Sequence, residues 1–161
     1  VPLEKIQKVI KEFKAVEHRI EFVTERFGVK YYNDSKGTNP DAAMQAIKAM
    51  PGPTLLIAGG YDKHIPYEPL GPVINDKVKL LILLGDTAPK IEKAVKEASN
   101  YDADEIEIVN VTNMEEAVAV ARERSTKGDI VSLSPASASF GLYKNFEERG
   151  NHFKSIVNAL K

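Results

Sequence analysis

No cysteine occurs among the 161 residues, which excludes disulfides, thiolate zinc sites, iron–sulfur clusters and thiol nucleophiles. A dominant charge is missing too. The 22 basic residues are offset by 23 acidic ones, so no global basic field draws the chain to nucleic acid or anionic lipid, and an anionic ligand has to be met locally. No apolar run approaches the ~18 residues of a membrane span, and Val1-Pro2-Leu3-Glu4-Lys5 does not read as a signal peptide. A cytoplasmic setting is therefore expected. His18, His64 and His152 lack metal-ligand spacing, and no metal site is expected. The chain also lacks a G-x-x-x-x-G-K-[ST] phosphate loop, a G-x-S-x-G nucleophile elbow, internal repeats and low-complexity stretches.

What is present is an ordinary globular mixture, 43% hydrophobic and 28% charged. At this length folding removes roughly 70% of the unfolded surface from water, enough for one domain spanning residues 1–161. Leu3, Ile6, Val9, Ile10 and Phe13 stand at helical spacing. From Ile20 to Phe27 and again from Val29 to Asn33 the period drops to two, which predicts a hairpin or sheet edge. Helices are predicted from Pro40 to Met50, Ala88 to Ala98, Met114 to Arg124, and about Lys144 to Leu160. Between them, Thr54–Ala58, Leu80–Leu84, Ile106–Val109 and Ile130–Leu133 read as buried strands. Apolar strands separated by helices give an α/β class: a doubly wound, mostly parallel sheet of about six strands with helices on both faces.

In such a sheet ligands bind beyond the carboxyl ends of the strands. Asn33-Asp34-Ser35-Lys36-Gly37-Thr38-Asn39 occupies one such place. An Asx-type turn leading into a helix cap is one reading of it, and a ligand site is the other. Lys36 is required by neither turn nor cap, and beside a helix N-terminus it suits an anion, with Asp34 suited to ribose hydroxyls. Without a phosphate loop, a nucleotide cleaved here needs another domain to hold its phosphates. Gly59-Gly60-Tyr61-Asp62-Lys63-His64 places Lys63 just past a strand, either solvated or facing a ligand. Ser134 to Ser139 is a run of small residues that either packs over the sheet or lines a polar pocket. Gly85-Asp86-Thr87 reads as a helix cap, and Lys144 to Arg149 as a solvated helix face with Phe146 in the core.

Taken together, His18-Arg19, the Asn33–Asn39 loop, Gly59-Gly60-Tyr61-Asp62-Lys63, and Ser134-Pro135-Ala136-Ser137-Ala138-Ser139 followed by Lys144-Asn145-Phe146-Glu147-Glu148-Arg149-Gly150 resemble the C-terminal domain of the Mur ligases. The closing serine stretch and K-N-F-E-x-R-G point to the branch that adds D-glutamate. The resemblance implies a Rossmann-like domain of a three-domain enzyme, with residues 1–16 as the end of, or linker from, a central ATPase domain. The implied reaction adds D-glutamate to UDP-N-acetylmuramoyl-L-alanine through an acyl phosphate in peptidoglycan synthesis. ATP and Mg2+ would be held mainly by the central domain, and the isolated chain would be inactive; the sequence leaves its oligomeric state open, with a monomer favoured. By resemblance Thr38, Lys63, Ser139, Phe140 and Phe146 would bind D-glutamate, with Lys63 on its side-chain carboxylate. His18, Arg19, Asp34 and Lys36 would face the nucleotide, and Lys36 would act at the forming acyl phosphate. Ser137 stands where the family often has cysteine, Phe140 where it has leucine, and Tyr61-Asp62 departs from the usual Gly-Gly-Asp-x-Lys form. The alternatives are another Mur ligase, a folylpolyglutamate synthase, and a non-catalytic α/β module that binds a small ligand.

Overall fold

Strand alternation decides how the chain enters the sheet. In β2, Val29–Asn33, the side chains of Val29, Tyr31 and Asn33 are buried and that of Lys30 is exposed. The strand β1, Glu21–Arg26, lies antiparallel to it. Phe27 and Gly28 join them with φ of 56° and 76°, the left-handed pair that a two-residue hairpin turn requires. The computed structural model describes residues 16–161, and the helix expected between Leu3 and Phe13 lies outside the described residues.

Four further strands are β3, Thr54–Ala58, β4, Val78–Leu83, β5, Glu107–Asn110, and β6, Ile130–Leu133. The order across the sheet is β1-β2-β6-β3-β4-β5, with all pairings from β2 onward parallel. Every residue of β3 is buried, because successive side chains enter opposite cores. Leu56 and Ala58 meet α1, Pro40–Ala49, α2, Leu70–Lys77, and α3, Ala88–Glu97. Leu55 and Ile57 meet α4, Met114–Arg124, and α5, Phe146–Asn158. The doubly wound α/β class expected from the sequence is the fold observed.

Helix α2, which holds Gly71 and Pro72 in its first turn, is the element that the sequence reading omits. Proline is tolerated in a first helical turn, where its missing N–H has no intrahelical partner. Gly71 is there for close approach: a Cβ at this position would lie 2.1 Å from the Ala94 carbonyl oxygen of α3. Helix α5 begins at Phe146 rather than Lys144 because the Asn145 side chain accepts the Glu148 N–H at 2.8 Å and caps it.

The connection through β5 and α4 returns the chain to the other side of β3. Neighbouring strands β2, β6 and β3 consequently deliver their carboxyl-end loops to one crevice.

Candidate functional site

A buried cation organises that crevice. Arg149, one turn into α5, is 3% exposed, where the sequence reading expects a solvated face. Its Nε donates to Ser35 Oγ at 2.9 Å, Nη2 to the Ser35 carbonyl at 2.7 Å, and Nη1 to the Ser137 carbonyl at 2.9 Å. Ser35 Oγ in turn donates to the Phe146 carbonyl at 2.7 Å. One planar guanidinium thereby ties the loop after β2 to the loop after β6 and to its own helix. Burial lowers its pKa to about 10, partly opposed by Tyr143 and the Asp34 carboxylate. The signal was present in the spacing: Phe146, Arg149, Gly150, Phe153 and Val157 stand at helical intervals, and the last four are buried.

The loop after β3 joins the other two. Tyr61 forms an antiparallel bridge with Ala138, its N–H reaching the Ala138 carbonyl at 2.9 Å. Gly59, at φ 108°, and Gly60 permit this approach, since Cβ atoms there would lie 2.0 Å from the Leu84 and 2.4 Å from the Ala138 carbonyl oxygens. Thr87 corrects a further expectation. It stands at the N-cap position of α3, yet its side chain makes no cap bond; its hydroxyl instead receives the Gly60 N–H at 3.0 Å and meets Ser137 Oγ at 2.8 Å.

The five residues expected to contact an amino acid, Thr38, Lys63, Ser139, Phe140 and Phe146, line one cavity of roughly 360 Å³. Asn145 and Glu147 complete its α5 side, so the positive end of a 13-residue helix borders it. Lys63 makes no ion pair among the described residues, and its loop is anchored by its neighbour. The Asp62 carboxylate pairs with Lys90 Nζ at 2.6 Å and accepts the His64 N–H at 2.8 Å; Lys90 first, then that N–H, hold it below the ordinary carboxylate range. Phe146 is only half-buried, part of this wall rather than of the core.

Arg19, Asp34 and Lys36 line a second cavity of roughly 170 Å³, with Gly37 and Gln45. The Asn33–Asn39 loop thus serves both cavities: Lys36 and Gly37 border one, Thr38 the other. Asn33 Oδ1 accepts the Ser35 N–H at 3.1 Å and Asn39 Oδ1 the Ala42 N–H at 2.9 Å, so the expected turn and cap coexist with the cavity. Asp34 Oδ1 accepts the Ile20 N–H at 3.1 Å, and the Lys36 N–H reaches the His18 carbonyl at 3.0 Å. These bonds hold His18 and Ile20 at φ of 64° and 45°, a strained region for a β-branched residue. Asp34 Oδ2 is buried without a partner among the described residues. Burial raises the Asp34 pKa to about 6, against the opposing pull of the Ile20 N–H, Arg19 and Arg149.

His18 does not join these three in the cavity. Its ring is buried, with Nδ1 2.9 Å from Asn33 Nδ2 and an edge contact to Phe146. Gly150 leaves room for it, since a Cβ there would lie 2.2 Å from His18 Nδ1.

Residues 18–137 match the model of the Mur ligase, glutamate ligase domain. The chain is 53% identical over 159 residues to a UDP-N-acetylmuramoylalanine--D-glutamate ligase of Symbiobacterium thermophilum, covering 99% of this chain and 34% of that protein. It is 52% identical over 158 residues to the protein of the same name from Acetivibrio thermocellus, covering 97% and 34%. The chain therefore spans about a third of the length of the curated relatives it matches. Among solved structures it resembles the UDP-N-acetylmuramate-alanine ligase of Thermotoga maritima, with a TM-score of 0.64 at 11% identity over 100% of this chain and 34% of that one. A bifunctional folylpolyglutamate synthase/dihydrofolate synthase of Yersinia pestis gives 0.56 at 13% identity over 89% and 32%.

Two outcomes follow from this geometry. Replacing Arg149 by Ala strands the Ser35 and Ser137 carbonyls, each costing about 1–3 kcal/mol, and lowers the urea midpoint; Arg149→Lys, which cannot span all three acceptors, recovers only part. An unchanged midpoint in Arg149→Ala contradicts the clamp. For Asp34 the folded pKa of about 6 exceeds the unfolded 3.8, so the folded state binds the extra proton and loses stability as pH rises from about 4 through 6. The stability of Asp34→Asn relative to the parent chain should rise across that window and level off above it; a flat difference in pH-resolved urea titrations contradicts the buried carboxyl.

Proposed function

The chain belongs to the Mur ligase family, matching its glutamate ligase domain, and on that premise we propose that it is the amino-acid-binding C-terminal domain of an ATP-dependent ligase that adds D-glutamate to UDP-N-acetylmuramoyl-L-alanine. Residues 1–16 are read as the approach from a central ATP-binding domain. The observation that carries the proposal is the sharing of one loop by two cavities: Thr38 borders the space with Lys63 and Ser139, while Lys36 borders the space with Arg19 and Asp34.

ATP supplies the phosphoryl group that converts the alanyl carboxylate into an acyl phosphate. The second cavity suits part of such a nucleotide. Asp34 Oδ2, buried and unpartnered, is an acceptor fitted to a ribose hydroxyl, and Arg19 and Lys36 offer cationic charge to phosphate. The Mg2+ that accompanies ATP is assigned mainly to the central domain.

In the first cavity Lys63 pairs with the side-chain carboxylate of D-glutamate, while the Thr38 and Ser139 hydroxyls orient its amino-acid end. Phe140 and Phe146 exclude water, which strengthens these charged contacts and protects the acyl phosphate from hydrolysis. The neutral amine attacks the acyl carbon, the C–N bond forms, the acyl C–O bond to phosphate breaks, and the nitrogen's surplus proton leaves with the phosphate. Lys36, on the loop between the cavities, offers its ammonium to the negative charge on that departing phosphate.

A charge-assisted bond from Lys63 is worth about 1.5–3 kcal/mol. In the complete ligase Lys63→Ala should therefore lower kcat/KM for D-glutamate by about 10–100-fold and leave KM for ATP little changed. Parent-like kinetics would sink the assignment, and preferential turnover of L-lysine, meso-diaminopimelate or L-glutamate would move the chain to another branch.

A further inference from the structure

Beside the amino-acid cavity lies a third space that the proposed function does not use. It measures roughly 280 Å³ and sits over the carboxyl ends of β3, β4 and β5, bordered by Tyr61, Asp86, Thr112 and Leu142. Phe140 lines this space as well as the amino-acid cavity. Its side chain is thus a partition between the two.

What holds the partition is visible. Phe140 is 56% exposed, and it sits in a turn closed by the Tyr143 N–H on the Ser139 carbonyl at 2.9 Å. Next to it Gly141 has φ 89° and open space around the position of a Cβ. Its aromatic neighbour is Tyr61, whose ring stands edge-on at 88° with centroids 5.7 Å apart. Tyr61 lines the third space but not the amino-acid cavity, so it backs Phe140 from behind. The backbone gives the brace a fixed origin: Tyr61 and Ala138 are bridged, and Lys63 and Phe140 each follow two residues beyond that bridge. The loops that carry Lys63 and Phe140 are thus tied together at one pair of hydrogen-bonded residues.

We propose that Tyr61 is a specificity-determining positioning residue, which braces Phe140 so that the cavity accepts an amino acid with the side-chain length of glutamate and rejects longer homologues. It rests on the reading of the cavity as an amino-acid site. Without the Tyr61 ring, Phe140 is free to rotate toward the third space, and the amino-acid cavity lengthens. The hydroxyl takes no part, because the edge contact needs only the ring.

The test uses the complete ligase and its variants Tyr61→Ala, Tyr61→Phe, Phe140→Ala and the Tyr61→Ala/Phe140→Ala double variant, assayed with D-glutamate and with D-2-aminoadipate, one methylene longer. Tyr61→Ala should raise KM for D-glutamate about 3–10-fold with kcat within about twofold. It should also narrow the preference for D-glutamate over D-2-aminoadipate by at least about fivefold. Tyr61→Phe should keep the parent values. Phe140→Ala should relax the same preference, and adding Tyr61→Ala to it should change little more, since the brace then has nothing to hold. An unchanged preference in Tyr61→Ala, equal effects of Tyr61→Ala and Tyr61→Phe, or additive effects in the double variant would each overturn the proposal. The parent enzyme's amino-acid profile, recorded first, separates this from the function itself. If a different amino acid is the substrate, the D-glutamate reading fails, and the same cycle with that amino acid and its longer homologue still decides the role of Tyr61.

Discussion

The guanidinium of Arg149 is the contact on which the site depends. Three of its nitrogens reach two loops that are about a hundred residues apart in sequence, and the start of its own helix, with its Asn145 cap, borders the cavity lined by Lys63 and Ser139. Burying a cation without a carboxylate in direct contact is costly, and here it is offset by carbonyl and hydroxyl acceptors that would otherwise be unsatisfied. The exchange is mutual, since the Ser35 and Ser137 carbonyls are paired because Arg149 is there. Loops that carry Thr38 and Ser139 are thereby held with the precision of the sheet, although neither belongs to a regular element.

Above that clamp, the cavities differ in their physics. The cavity lined by Thr38, Lys63 and Ser139 is built from loops stitched by backbone hydrogen bonds, with Asp62 and Lys90 fixing the Lys63 segment to α3. The Arg19–Asp34–Lys36 cavity is built around strain and burial, with left-handed His18 and Ile20 held by the Asn33–Asn39 loop and a carboxyl with one oxygen left over. Unspent polar capacity of this kind marks a place where another group is expected to complete the bonding. One cavity is fixed by bonds within the chain, whereas the other keeps a buried acceptor without a partner among the described residues.

Much of this was legible in the residues. The apolar runs of β3 and β6 and the periodicities of α1, α3 and α4 carry their own identity, because a buried parallel strand and an amphipathic helix differ in period. Helix α2 was hidden since Gly71 and Pro72 are judged locally as breakers, whereas their use depends on the Ala94 backbone opposite. Thr87 looked like a cap because position is readable and side-chain partner is not. Arg149 was misplaced for a different reason: charge outweighed spacing, although its interval from Phe153 and Val157 put it on the buried face. That Thr38, Lys63, Ser139, Phe140 and Phe146 share a cavity follows from the strand order and from the bridge between Tyr61 and Ala138, both long-range pairings that no local pattern contains.

The measurement that bears most directly on the central claim is a crystal structure of the complete ligase with D-glutamate bound. The account predicts the amino acid in the cavity between the β2, β3 and β6 loops, its side-chain carboxylate on Lys63 Nζ and its other end at Thr38 and Ser139, with Phe140 against Tyr61. D-glutamate seated in the space over β4 and β5, or reversed so that Lys63 meets the α-carboxylate, would contradict it.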